Sequence, residues 1–179
     1  FLSRSLVERP EDLEMLLSPE LSMPYKKRNG FFEGFLAIAG DAGEDYEDKI
    51  DSVRRLKNQE VLRIGLNDIA GVITPRQVST QMTHIAEASV EAAYRIAFAE
   101  LQKTCKPPAG LRFAILGLGK LGGAELIYGS DLDIVFVYSS GANGAGPKDN
   151  GAKTISAHEF SVKLGQRIIS VLTLRTKGG

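Results

Sequence analysis

Phe113-Ala-Ile-Leu-Gly-Leu-Gly-Lys-Leu-Gly-Gly-Ala-Glu-Leu-Ile-Tyr-Gly-Ser-Asp-Leu-Asp-Ile-Val-Phe-Val-Tyr138 is the stretch on which the reading of this chain turns. An apolar run leads into five glycines within thirteen residues, and a second apolar run follows Asp131-Leu132-Asp133. Read as strand, glycine-rich turn and strand, it predicts strands over 111–116 and 132–138. The tight turn then spans 117–123, with about one helical turn at 124–128. Side chains on a strand alternate faces, so two acids separated by one residue point the same way. Strands are depleted in aspartate, and paired carboxylates repel unless a cation lies between them. A same-face pair beside a glycine turn therefore makes a hard-oxygen site for Mg²⁺ and for the phosphates that travel with it.

The glycines themselves allow two readings. Gly117-x-Gly119-x-x-Gly122 follows a predicted strand and matches the dinucleotide-binding fingerprint. That fold needs a full crossover helix after the glycines and an acid about 20 residues on, at the end of the second strand. Here the acids come 14 and 16 residues after Gly117, at the start of that strand, and seven residues separate Gly123 from Asp131. The spacing favours the other reading, nucleotidyl transfer. The Gly122-Gly123 backbone would approach a triphosphate without a Cβ in the way, and Ser130 would donate its hydroxyl to a phosphate oxygen. Lys120 would add a positive charge. The competing structural readings are a sharp turn for the glycines, a turn cap for Ser130 and a solvated side chain for Lys120.

Working outward, residues 1–106 read as a helical region and 107–179 as a second unit, divided at Pro107-Pro108-Ala-Gly110. Pro10 and the acids around it suit a short helix start at 8–17, and Phe31, Phe32, Phe35, Leu36 and Ile38 form an apolar patch fit for a helix. A long amphipathic helix runs from about Ile50 towards Gly71. Thr74-Pro75 resembles an N-cap with proline at the first helical position, opening a helix to about Thr104. Its alanines at 86, 88, 92, 93 and 97 allow close packing. Gly141–Gly151 reads as a flexible loop. Ser156 caps a last helix, to about Leu174, with Glu159 at the capping-box position. The fold class expected is α+β.

Lysine plus arginine and aspartate plus glutamate number 22 each, so the chain carries no bulk field for nucleic acid or anionic membrane. The single cysteine, Cys105, closes no internal disulfide and builds no cysteine metal site. No apolar run approaches the ~20 residues that span a bilayer. A cytoplasmic protein is expected. Phe1 is not a natural start, and the sequence stops abruptly at Gly178-Gly179, so a fragment of a longer protein is expected. His84, inside a helical pattern, and His158, near a helix start, read as structural or exposed.

Gly119-Lys-Leu-Gly-Gly-x-Glu-Leu-x-x-x-Ser-Asp-x-Asp133 resembles the nucleotidyltransferase signature of the bacterial glutamine synthetase adenylyltransferase/adenylyl-removing family, within the DNA polymerase β-like superfamily. Arg54–Gly71 and Glu159–Arg175 resemble the family's helices on either side, so the likeness covers most of the chain. It implies a polymerase β-like core with a short mixed sheet and flanking helices, incomplete at its C-terminal end. It implies ATP as substrate, Mg²⁺ on Asp131 and Asp133, and Gly122, Gly123, Ser130 and Lys120 around the nucleotide. The family has two such halves: one attaches AMP to a tyrosine of glutamine synthetase, the other removes it by phosphorolysis. A PII-type signal protein and glutamine set the balance. Asn67-Asp-Ile-Ala-Gly71 resembles the adenylylating, C-terminal half. The family's third carboxylate lies on a later strand, beyond Thr176-Lys-Gly-Gly179, so a molecule ending there is expected to be catalytically defective. The alternatives are another polymerase β-like transferase, acting on a small molecule or RNA, and a regulatory docking fragment with an incomplete site.

Overall fold

A computed structural model describes residues 23–140 and 155–173. The helix expected at 8–17 and the loop at 141–151 lie outside the described residues. Three long helices come first: α1 (Arg28–Gly40), α2 (Tyr46–Ile69) and α3 (Pro75–Gln102). Strand β1 (Arg112–Gly117), the short helix α4 (Gly119–Gly122), strand β2 (Ile134–Ser139) and helix α5 (Ala157–Thr173) follow. The chain is α+β, mostly helical.

Local chemistry accounts for the boundaries. Asp45 caps α2 by accepting from the Asp48 N–H. At the other end Gly71, at φ +69°, turns the chain out of the helix. The Val72 and Gly71 N–H groups reach back to the Asn67 and Asp68 carbonyls, each at 2.9 Å. This is the bond pair that satisfies the last orphan carbonyls of a helix. At the start of α3 the Gln77 N–H donates to Thr74 Oγ1 and the Thr74 N–H to Gln77 Oε1, a reciprocal capping box. Ser156 Oγ accepts from the Glu159 N–H at 3.0 Å to open α5.

Packing follows from the buried stripes. Phe31, Phe35 and Ala39 recur every fourth residue on α1 and lie in the core. On α3, Ala88, Ala92, Ala93 and Ala97 are fully buried, so neighbouring helices approach its backbone closely. One hydrophobic core joins them to Phe160, Leu164, Ile168 and Val171 of α5, and so runs across the proline segment at 107–108.

β1 and β2 pair antiparallel, Arg112 opposite Ser139 through Gly117 opposite Ile134. Neighbouring antiparallel strands exclude the dinucleotide-binding fold, whose crossover helix joins parallel ones. One face, with Phe113, Ile115 and Phe136, turns to the helices. Phe113 stacks between Tyr94 and Phe136, with ring centroids 6.2 and 5.6 Å away. The other face leaves Leu116, Val135 and Val137 exposed.

Two local expectations are corrected. The helical turn lies at Gly119–Gly122, not at 124–128, because Ala124 sits at φ +55°, where a helix cannot continue. β2 begins at Ile134 rather than at Leu132, so both aspartates precede the strand instead of lying on it.

Candidate active site

The ladder between the strands extends one bond beyond its ends. The Leu118 N–H donates to the Asp133 carbonyl at 2.8 Å, which carries Asp133 back against the start of the glycine turn. There Gly119 adopts φ +50°, and a Cβ on it would lie 2.6 Å from Asp133 Oδ2. The carboxylate thus rests on the bare backbone of Gly119, an approach that only glycine permits. Asp131 and Asp133 are exposed, while Leu132 between them is half-buried, so the alternation expected of a strand holds just before β2. Neither aspartate forms an ion pair among the described residues.

The other residues around the turn have distinct roles. A Cβ on Gly122 would meet the Gly117 carbonyl oxygen at 2.7 Å, so this glycine lets the turn fold against β1. Gly123, at φ −82°, has nothing closer than the Gly119 oxygen at 3.5 Å, and close packing does not demand it. Lys120 is exposed, and its ammonium has no partner among the described residues. Ser130 is half-buried. Its Oγ accepts from the Ile127 N–H at 3.1 Å, and its own N–H donates to the Ile127 carbonyl. The hydroxyl proton remains available to a ligand, so the turn-capping and donor readings of Ser130 coexist.

The segment between turn and aspartates is held from below by the helices. Leu126 is buried, Ser79 Oγ on α3 donates to the Ala124 carbonyl, and Tyr128 OH donates to Asp68 Oδ2 on α2 at 3.2 Å. Burial, then the charge of Asp68 and the bond to it, push the Tyr128 phenol well above its usual range, so it stays a donor. The Tyr128–Asp68 link was not legible from sequence, because the two residues lie sixty positions apart. The only trace is that both stand within stretches matching the family pattern.

The donor set suits a magnesium ion. Mg²⁺ is commonly held by one or two carboxylates together with waters and substrate phosphates, and two exposed aspartates beside an open glycine backbone offer that chemistry. Among the described residues no group of three or more acidic, histidine or cysteine side chains could form a metal cage.

Comparison with known proteins shows the family. The profile described as Glutamate-ammonia ligase adenylyltransferase matches residues 1–179. The chain belongs to that family. It is similar to the bifunctional glutamine synthetase adenylyltransferase/adenylyl-removing enzyme of Mannheimia haemolytica, 39% identical over 145 residues, or 76% of this chain and 14% of that protein. The enzyme of the same name from Vibrio parahaemolyticus is 34% identical over 187 positions, covering 99% of this chain and 19% of the relative. That of Shewanella oneidensis is 37% identical over 142 residues, covering 76% of this chain and 15% of the relative. The chain therefore spans less than a fifth of the length of these relatives. No helix among the described residues of this family member is long and apolar enough to cross a membrane.

Proposed function

We propose that this chain forms part of an adenylyltransferase site that transfers AMP from ATP to a tyrosine of glutamine synthetase, or removes it by phosphorolysis, in the cytoplasm. The observation that carries the reading is the seat of Asp133 on Gly119, with Asp131 exposed two residues before it. A carboxylate seated on glycine backbone, with a second acid two residues before it, supports a site for a metal-borne triphosphate.

In this reading Asp131 and Asp133 hold Mg²⁺, which when bound neutralises phosphate charge and favours the attacking oxygen. The Gly122-Gly123 backbone lies along the triphosphate, and Gly123 supplies the open approach. Ser130 donates its free hydroxyl proton to a phosphate oxygen, held in place by the turn from Ile127. Lys120 adds a mobile positive charge that draws the nucleotide in. Tyr128, through Asp68, fixes the height of the loop on the helices. In-line attack of the tyrosine hydroxyl on the α-phosphorus of ATP forms the AMP–tyrosine ester, expels pyrophosphate and releases the hydroxyl proton. In the removing reaction inorganic phosphate attacks the phosphorus of that ester, so that the tyrosine hydroxyl leaves and ADP forms. The resemblance of Asn67–Gly71 favours the adenylylating half, with a PII-type protein and glutamine as its regulators.

Full-length protein carrying Asp131→Asn, incubated with α-labelled ATP and unmodified glutamine synthetase, tests this. Label transfer falls at least about a hundredfold, as expected when charge stabilisation is lost at the reacting phosphate, while phosphorolysis of adenylylated glutamine synthetase continues. Transfer and phosphorolysis both undiminished contradict the site. Loss of phosphorolysis with transfer intact keeps the site and assigns it to the removing half.

A further inference from the structure

Behind the aspartates lies a second feature, which shares Ser130 with the proposed transfer site. A cavity of about 300 Å³ opens between α2, α3, the C-terminal end of α5 and the segment before β2. Leu132 and Ser130 line it, whereas Asp131 and Asp133 do not. The cavity therefore sits on the helix side of the segment, away from the proposed metal. Its walls are apolar, with Val53, Val61, Ile85 and Val171 among them.

Its charge is one-sided. Arg54 and Lys57 line it, and among the described residues no carboxylate does. Arg54 is engaged with Asp51 at 3.2 Å. Lys57 forms no hydrogen bond or ion pair among the described residues. Lys57 is exposed as a residue, and partial desolvation by its neighbours lowers its pKa from the ordinary lysine value. A cation in that position gains by acquiring a counter-charge. One ammonium without a partner among the described residues, beside an apolar cleft, matches a single negative charge on an apolar body. A doubly charged phosphate would want more donors than the cleft offers.

We propose that this cavity is a binding site for a small monoanion with an apolar body, a medium-chain carboxylate in kind, whose charge pairs with Lys57 and whose chain lies against Val61, Ile85 and Val171. This does not rest on the adenylyltransferase reading, and binding alone tests it. Octanoate is the probe, and uncharged octanamide the control, in calorimetric titrations of the full-length protein. Lysine acylation, read residue by residue from peptide masses, is followed with and without octanoate. Octanoate is expected to bind saturably, to bind more tightly than octanamide, and to protect Lys57 from acylation. Lys57→Met is expected to weaken binding at least about tenfold, and Lys57→Arg to retain it. Absence of octanoate binding, equal binding of octanamide, no protection of Lys57, or unchanged affinity in Lys57→Met would each overturn the proposal.

Discussion

Gly119, Gly122 and Gly123 differ in what a methyl group would meet. At Gly122 it would press on the Gly117 carbonyl at 2.7 Å, an atom of the backbone that cannot step aside. Gly122→Ala is expected to cost about 1–3 kcal/mol in urea unfolding, the usual scale of overpacking, and Gly123→Ala less than about 1 kcal/mol. If both are equally mild, the packing described between the turn and β1 is wrong. That contrast also shows what sequence could and could not give. The run of glycines announces a turn, but only coordinates separate the glycine that packing demands from the one left open. His84 adds a pH dependence at the same scale. Its Nδ1 is buried without a hydrogen-bond partner among the described residues, and its ring lies tilted 6.0 Å from Phe31. Desolvation lowers its pKa; Glu87 opposes this and Arg28 adds to it. A histidine depressed on folding contributes stability that is present above the unfolded value near 6.5 and lost as pH falls towards the folded value. Denaturant midpoints should therefore drop on going from pH 7 to pH 5, and His84→Gln should flatten that slope. An equal slope in the variant would remove His84 as its source.

At the level of elements, the ends of α3 were the most legible part of the chain. Thr74, Pro75 and Gln77 stand in the order that local capping chemistry requires, and the observed bonds follow. Thr74→Ala is accordingly expected to lower stability by about 1 kcal/mol in denaturant titration. No change would show that water replaces the cap without cost. The long helices were equally legible, because their apolar stripes repeat over many turns. The segment between Gly123 and β2 was not. Its apolar residues Leu126 and Ile127 invite a helical turn, but its conformation is decided by distant partners: Ser79 and Asp68 hold it from two other helices, and Ala124 takes a left-handed backbone. Tertiary contact overrides local preference there, and the start of β2 shifts with it. Gly165 on α5 is a similar case. Its bare backbone admits the Phe136 ring, to which a Cβ would stand 3.0 Å away, and nothing in the helical pattern marks it.

For the molecule as a whole, the helices form a platform and the two strands carry the candidate site on its edge. A buried polar network secures the first described residues to that platform. Glu60 receives Lys26 and Arg63 on its two oxygens at 2.6 and 2.8 Å, and Gln81 Oε1 accepts from the Lys26 N–H and Arg63 Nη2. Each buried charge there has a partner, as burial in low dielectric requires. The same platform props the loop that presents Asp131 and Asp133, so the helices position the candidate site. The central claim is that the turn and the two aspartates flank one divalent cation. Iron(II) can stand in for magnesium and, with ascorbate and peroxide, cut the backbone wherever it is bound. Applied to the full-length protein with ATP, it should cleave within 119–123 and 131–133 together, and excess Mg²⁺ should suppress both cuts. Cleavage confined to other segments, with these two left intact, would contradict the account.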